Sequence, residues 1–309
     1  MLILKTVTAI LPIFLIIGFG ALIKWWGLIP QTFLQPANRL VYYIAIPILV
    51  FRAISKYPIS SQFNISVALI SITCVVGTFA IALLLAYVLR IEKDKIRTFS
   101  HCSFHGNLGY IGFAIIVYFL GDAGMAKGSI ISGLIMITQN LLGVIVYKSY
   151  SDQGIRSGGI WHIFKPVVMN PVIISVLLGI GCALSEITIP TVLDRSLSIL
   201  SGLALPLSLL LIGATLSVSS VKKQFFPALL ASVIKLIAMP ALLLFNVFYF
   251  KVAPEDYLPV LILLAAPAAT VTYVFAEEMN GNTPLAASII SLGTILSGFT
   301  YIFWIGMTG

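Results

Sequence analysis

SFHGNLGYIGFAI, residues 103–115, lies inside an apolar block that is otherwise suited to cross a membrane. Its centre holds an imidazole, an amide and three glycines, which occupy positions 106, 109 and 112. Glycine weakens a helix, and polar side chains are costly to bury in lipid. The stretch therefore predicts a membrane helix that is interrupted halfway along its length.

The composition of the whole chain indicates a polytopic membrane protein. Of its 309 residues, 60% are hydrophobic and 9% are charged. About 20 helical residues cross a bilayer, and ten apolar blocks approach that length. The blocks cover residues 7–24, 37–54, 65–89, 98–120, 128–147, 166–184, 197–216, 225–250, 257–276 and 284–307.

The net charge of +8 would suggest a nucleic-acid partner in a soluble chain. Here the basic residues concentrate in short loops after odd-numbered blocks, as in the run from Arg90 to Arg97. Such an excess marks the cytoplasmic side. We therefore expect a multi-pass protein of the cell (inner) membrane with both termini outside, and no nucleic-acid partner.

An internal repeat sets the predicted architecture. An offset of 159 residues (171 − 12) aligns Pro12 with Pro171 and brings SIIS at 129–132 onto SIIS at 288–291. Each half holds five blocks, an odd number, so the second half enters the membrane from the opposite side. Inverted repeats of this kind are typical of secondary transporters.

The predicted fold is thus an all-α membrane protein of ten transmembrane helices in two inverted five-helix repeats. We expect the first repeat at 1–150, a short cytoplasmic linker at 151–165 and the second repeat at 166–309. Helices 4 and 9 are expected to be broken near 106–109 and 265–268, and to cross.

The same offset places the glycine-rich centre of helix 4 on the Pro267 region of helix 9. Broken helices expose N-termini, whose free N–H groups attract anions. We predict a substrate site there, with the amide of Asn107 as a hydrogen-bond donor; the alternative is that this amide only ties down the unwound turn. The predicted substrate-binding residues are Asn107, Gly106, Leu108, Gly109, Tyr110, Ala266, Pro267, Ala268 and Pro47.

Four further side chains are candidates for coupling or charge sensing. Lys235 lies about ten residues inside helix 8, where its alternative is to snorkel toward the interface. His101 and His105 are four residues apart on one helical face, as suits a proton relay. Arg52 lies at the outer end of helix 2, where its positive charge could attract anions to the site. The alternative is that Arg52 only anchors the helix at the membrane interface. The spacing of Cys74, Cys102 and Cys182 suits no metal, and no cofactor is predicted.

Several motifs resemble the auxin efflux carrier family, which includes plant PIN-formed exporters and bacterial carriers of malate or malonate. They are IKWWGLIPQTFLQPANRLVYYIAIPILVF (23–51), GNLGYIG (106–112), KLIAMPALL (235–243) and APAATVTYVFAEEMNGNTPLAASIISLGTILS (266–297). The resemblance implies a scaffold like that of bile acid sodium symporters, with spans 1, 2, 6 and 7 as a panel. It also implies that Asn107 lies near the substrate carboxylate.

Together these observations predict a secondary transporter for small organic anions, such as malate, malonate or auxin-like acids, working by alternating access, with an elevator or rocking motion. Whether a proton, a sodium ion or no ion is coupled stays open, as does a homodimer. The rivals are a ligand-sensing receptor or channel on the same scaffold, and, more remotely, an intramembrane enzyme. The chain has no HExxH motif, and Ser232 with Lys235 is a lone SxxK.

Overall fold

The computed structural model describes residues 2–150 and 168–308, and the predicted linker at 151–165 lies outside these residues. Within them the chain is all-helical, without a strand. Two helices are short, Ile59–Gln62 and Val218–Lys223. The longer helices of the first part are α1 (Leu2–Trp25), α2 (Gln31–Leu40), α3 (Ile46–Ser55), α4 (Ile65–Val88), α5 (Lys93–Phe104) and α6 (Phe113–Ser149). Those of the second part are α7 (Pro171–Leu184), α8 (Thr191–Ser201), α9 (Ala204–Thr215), α10 (Phe225–Val233), α11 (Met239–Tyr249), α12 (Pro254–Leu264), α13 (Val271–Glu278) and α14 (Thr283–Gly306).

Three π-helical turns lead directly into the helices that follow them. They are Val41–Ala45 between α2 and α3, Leu108–Gly112 before α6, and Ile234–Ala238 between α10 and α11. In the third case Pro240 has no N–H to offer the carbonyl of Leu236. The indole Nε1 of Trp304 donates to that carbonyl instead, at 2.7 Å. A side chain of α14 therefore completes the turn that carries Lys235.

Seven helices of the described residues are long and apolar enough to cross a membrane. They are Thr6–Trp25, Gln31–Ser55, Ile65–Val88, Leu108–Ser149, Thr191–Thr215, Phe225–Tyr249 and Thr283–Gly306. The chain is therefore a multi-pass membrane protein, while the count of ten spans stays a prediction. At Gly121, φ of 70° and ψ of −164° interrupt α6, so its two arms correspond to separate apolar blocks of the sequence.

Glycines permit a close helix contact between α1 and α9. A Cβ atom on Gly213 would overlap the carbonyl oxygen of Ile17, and one on Gly20 would overlap that of Leu210. Gly179 of α7 lies against Ile54 of α3 in a similar way. Small residues drive such packing in lipid because they let two backbones approach. These contacts form a frame of α1, α3, α7 and α9.

We expect Gly213→Ala to lower the free energy of unfolding by at least about 2 kcal/mol, because the new methyl group overlaps backbone atoms. Thermal unfolding in detergent measures the change. Gly181→Ala in α7 is the matched control, since nothing lies within 4 Å of its Cβ position. Equal melting temperatures for the two variants would contradict the close contact.

Candidate functional site

Two broken helices cross inside the protein. Helix α5 ends at Phe104 and the next turn begins at Leu108, while α12 ends at Leu264 and α13 begins at Val271. Between these ends, Gly106 and Ala268 form an antiparallel bridge. The N–H of Asn107 donates to the carbonyl of Pro267 at 2.8 Å, and that of Ala269 donates to the carbonyl of His105 at 3.0 Å. Each break thus supplies the hydrogen bonds that the other lacks.

The register at this crossing differs from the one that the sequence offset gives. The offset of 159 residues aligns Gly106 with Ala265, whereas the bridge pairs Gly106 with Ala268. The local two-fold of the two hydrogen bonds relates Asn107 to Ala269, an offset of 162 (269 − 107). The difference arises because two breaks are matched by backbone pairing in space, and an ungapped offset cannot allow for unequal connections.

Asn107 caps the helix that leaves the crossing. Its Oδ1 accepts the N–H of Tyr110 at 3.2 Å, which is a usual N-cap contact. Within the described residues its Nδ2 donates no hydrogen bond, and the residue is 5% exposed. The side chain of Asn107 thus holds the unwound turn through its oxygen, and its amide N–H groups remain available to a ligand.

Lys235 reaches the crossing rather than the membrane interface. The residue is 1% exposed, and its Nζ donates to the carbonyl of Leu264, the last residue of α12, at 2.7 Å. A Cβ atom on Gly106 would lie 3.1 Å from the same nitrogen. Among the described residues no carboxylate pairs with this ammonium group. The geometry excludes the snorkelling alternative.

The other predicted substrate residues line the same region. Leu108, Tyr110, Ala266, Pro267 and Ala268 are buried, and Gly109 is partly exposed. The Tyr110 hydroxyl donates to Oδ1 of Asn38 at 3.1 Å, which ties the crossing to α2. Gly109 approaches Ile46, the neighbour of the half-buried Pro47 in α3.

His101 and His105 meet where α5 enters the crossing. The Nε2 of His101 lies 2.9 Å from the Nδ1 of His105, and both rings are buried. His101 also packs against the rings of Phe104, Tyr147 and Phe275.

Arg52 is held by other contacts. Its Nε donates to Oδ1 of Asp194 at 2.8 Å, and its guanidinium also reaches the hydroxyl of Ser201. These partners belong to α8, so the described structure joins Arg52 of α3 to α8 and not to the crossing.

Sequence reasoning missed two side chains that serve the breaks. The Nε2 of Gln139 donates to the carbonyl of Phe104, where α5 ends, at 3.0 Å. Tyr301 donates to the carbonyl of Ile262 in α12 at 3.0 Å. An amide side chain inside an apolar block was the available signal for Gln139.

The crossing itself is closed over by protein in this structure. Two apolar cavities, of about 350 and 290 Å³, lie elsewhere in the described residues, one between α1 and α14 and the other between α6 and α7. Unwound backbone at membrane depth is tolerated when protein buries it, and burial is what the crossing shows.

The chain matches known proteins along almost its full length. The family model described as "Membrane transport protein" matches residues 5–157 and 162–305. An uncharacterised transporter of Methanocaldococcus jannaschii is 26% identical over 307 residues, covering 96% of each chain. Another from Methanothermobacter thermautotrophicus is 23% identical over 98% of this chain and 99% of its own. A protein of Rhizobium meliloti described as a proposed malonate transporter is 22% identical over 93% of this chain and 91% of its own.

Gly106→Ala should destabilise the protein by about 1–2 kcal/mol, because its methyl group would press on the Lys235 side chain at 3.0 Å. Lys235→Met in the same chain should remove most of that cost, since the anchored ammonium is gone. A double-mutant cycle of unfolding measures the coupling. Gly109→Ala is the control, with ordinary contact to Ile46 at 3.5 Å. Strict additivity would show that Gly106 and Lys235 do not share this space.

Proposed function

Since the chain belongs to the membrane transport protein family, the auxin efflux carrier family that its motifs resemble, we propose that it is a secondary carrier of small organic anions. The anion binds at the crossing of the two broken helices and moves across the cytoplasmic membrane by alternating access. Membership of the family by itself makes the chain a membrane transport protein.

The observation that carries the proposal is the crossing with Asn107 and Lys235 beside it. The amide of Asn107 offers free N–H groups, and Lys235 supplies a buried positive charge. The helix that continues into α6 and helix α13 both begin at the crossing, and helix N-termini favour negative charge. A carboxylate would receive hydrogen bonds from neutral donors and a counter-charge from the ammonium group.

Carboxylates such as malonate, malate or auxin-like acids fit this donor set. The description of the Rhizobium relative names malonate, and that makes malonate the first probe. A coupled sodium ion would need oxygen ligands, because hard cations require them. The hydroxyl of Thr272 is one candidate ligand, and it already donates its hydrogen to the carbonyl of Ala269.

Helix positions support the proposed pair of inverted repeats at 1–150 and 166–309. Helices α2 and α8 begin 160 residues apart (191 − 31), and α5 and α12 begin 161 apart (254 − 93). We extend the proposal to ten spans, both termini outside, and movement of the crossing helices against the frame of α1, α3, α7 and α9.

Counterflow of labelled malonate in proteoliposomes tests the carrier, because a channel or a sensor cannot exchange substrate against a gradient. The purified protein should show saturable counterflow. Turnover of a lipid or peptide without a sealed membrane would instead favour the intramembrane enzyme.

Asn107→Ala should reduce malonate counterflow at least tenfold, because it removes the donor at the crossing. Asn170→Ala is the matched control: Oδ1 of Asn170 caps α7 by accepting the N–H groups of Val172 and Ile173, and the residue lies outside the crossing. Both variants lose a cap, which costs about 1 kcal/mol. Near-normal counterflow by Asn107→Ala, or equal loss in both, would remove Asn107 from the site.

Lys235→Met should weaken malonate binding at least tenfold, because the buried counter-charge is lost. Ligand-induced thermal stabilisation measures the affinity, since a ligand at 100 times its Kd adds about 2.7 kcal/mol. Lys127→Met is the charge control, as Lys127 pairs with Asp256 at 2.6 Å away from the crossing. Unchanged affinity in Lys235→Met would leave the lysine with only its structural bond to Leu264.

A further inference from the structure

His101 and His105 form a buried pair of imidazoles in which one ring nitrogen carries no hydrogen. Four ring nitrogens are present, and two of them share one hydrogen across the 2.9 Å contact. A neutral pair carries two ring hydrogens, so one further nitrogen holds a hydrogen and one is bare. This count is the same for either tautomer.

One nitrogen of the pair lacks a partner. The Nδ1 of His101 is buried and makes no hydrogen bond within the described residues. Leaving a buried polar atom unpaired is costly, and such atoms call for a functional explanation. Ring contacts with Tyr147 and Phe275, and the closeness of Gly143, leave the imidazole little room to turn toward another partner.

The titratable groups around the pair supply no negative charge. Tyr147 of α6 faces the pair, and Cys102 lies on α5 beside His101. Lys235, in the turn between α10 and α11, places a positive charge near His105. The nearest groups from α13 are the ring of Phe275 and the hydroxyl of Thr272, which Cys102 contacts. No carboxylate of the described residues forms an ion pair with either histidine.

The backbone links this pair directly to the proposed anion site. The carbonyl of His105 accepts the N–H of Ala269 in the crossing, and Asn107 follows two residues later. Lys235 lies beside Gly106, near both the histidine pair and the proposed anion site. A charge that arrives at Asn107 is therefore felt by the imidazoles through little intervening protein.

We propose that the His101–His105 pair is the proton-coupling site of this carrier, taking up one proton with each anion; this rests on the proposed function. The proton comes from water on one side, adds to the bare outer nitrogen and gives one imidazolium that shares its N–H with the neutral ring. It leaves from the same pair to water on the other side. No other bond forms or breaks.

Electrostatics makes the two binding events favour each other. With the anion site empty, the positive Lys235 opposes a second positive charge on His105. A bound carboxylate cancels that repulsion, so anion and proton each raise the affinity for the other. The carrier thus moves the two together.

Malonate accumulation in proteoliposomes tests the coupling. With the outside more acidic by about two pH units, one proton per anion supports accumulation of up to about a hundredfold. The wild-type protein should accumulate malonate under this gradient, and an uncoupler should abolish the effect. The double variant His101→Gln with His105→Gln keeps hydrogen-bonding groups but binds no proton. It should lose at least nine-tenths of the accumulation while its counterflow stays within about threefold of wild type.

His162→Gln, which changes the third histidine of the chain, is the matched control and should behave as wild type. Should that double variant fail to fold, His101→Phe with His105→Gln also removes both imidazoles, keeps a ring among the aromatic neighbours of His101 and should show the same loss. Gradient-driven accumulation that survives in the folded variants would overturn the coupling site, and so would the joint loss of accumulation and counterflow. Wild-type counterflow without response to the gradient rejects coupling alone, whereas absence of wild-type counterflow rejects the carrier itself.

Discussion

Backbone pairing between two interrupted helices is the constraint on which the rest of this structure depends. In a bilayer no water satisfies an exposed N–H or carbonyl group. The segments around Gly106 and Ala268 solve this by pairing with each other. The carbonyls left at the two helix ends find side-chain donors, Gln139 for Phe104 and Lys235 for Leu264. The break is stable because other helices complete it.

Lys235 connects that structural requirement with the proposed anion site. A buried ammonium group without a carboxylate partner is expensive, and its bond to Leu264 meets only part of the cost. A negative ligand at the crossing would supply the missing counter-charge. Under the proposed function, the residue that satisfies a helix end would also favour a bound anion, and the family to which the chain belongs is one of membrane transport proteins.

Small residues have different uses in the two regions of the molecule. In the frame, Gly20 and Gly213 let α1 and α9 meet backbone to backbone. At the crossing, Gly106 leaves space for Lys235. Close, dry packing favours a rigid frame, while the crossing is held chiefly by directional hydrogen bonds. Such a division suits a protein in which one part moves against another.

The sequence by itself determined the membrane class, the family resemblance and the places where the helices break. Apolar block length is set by bilayer thickness, and glycine and proline act on the local backbone, so these features are readable without a fold. The tertiary structure alone decided the partners: the pairing of Gly106 with Ala268, the placement of Lys235 at Leu264, and the ion pair that holds Arg52. It also revealed Gln139 and Trp304 as donors to freed carbonyls. These contacts join residues tens to hundreds of positions apart, and their geometry depends on how complete helices pack, which no local pattern of residues encodes.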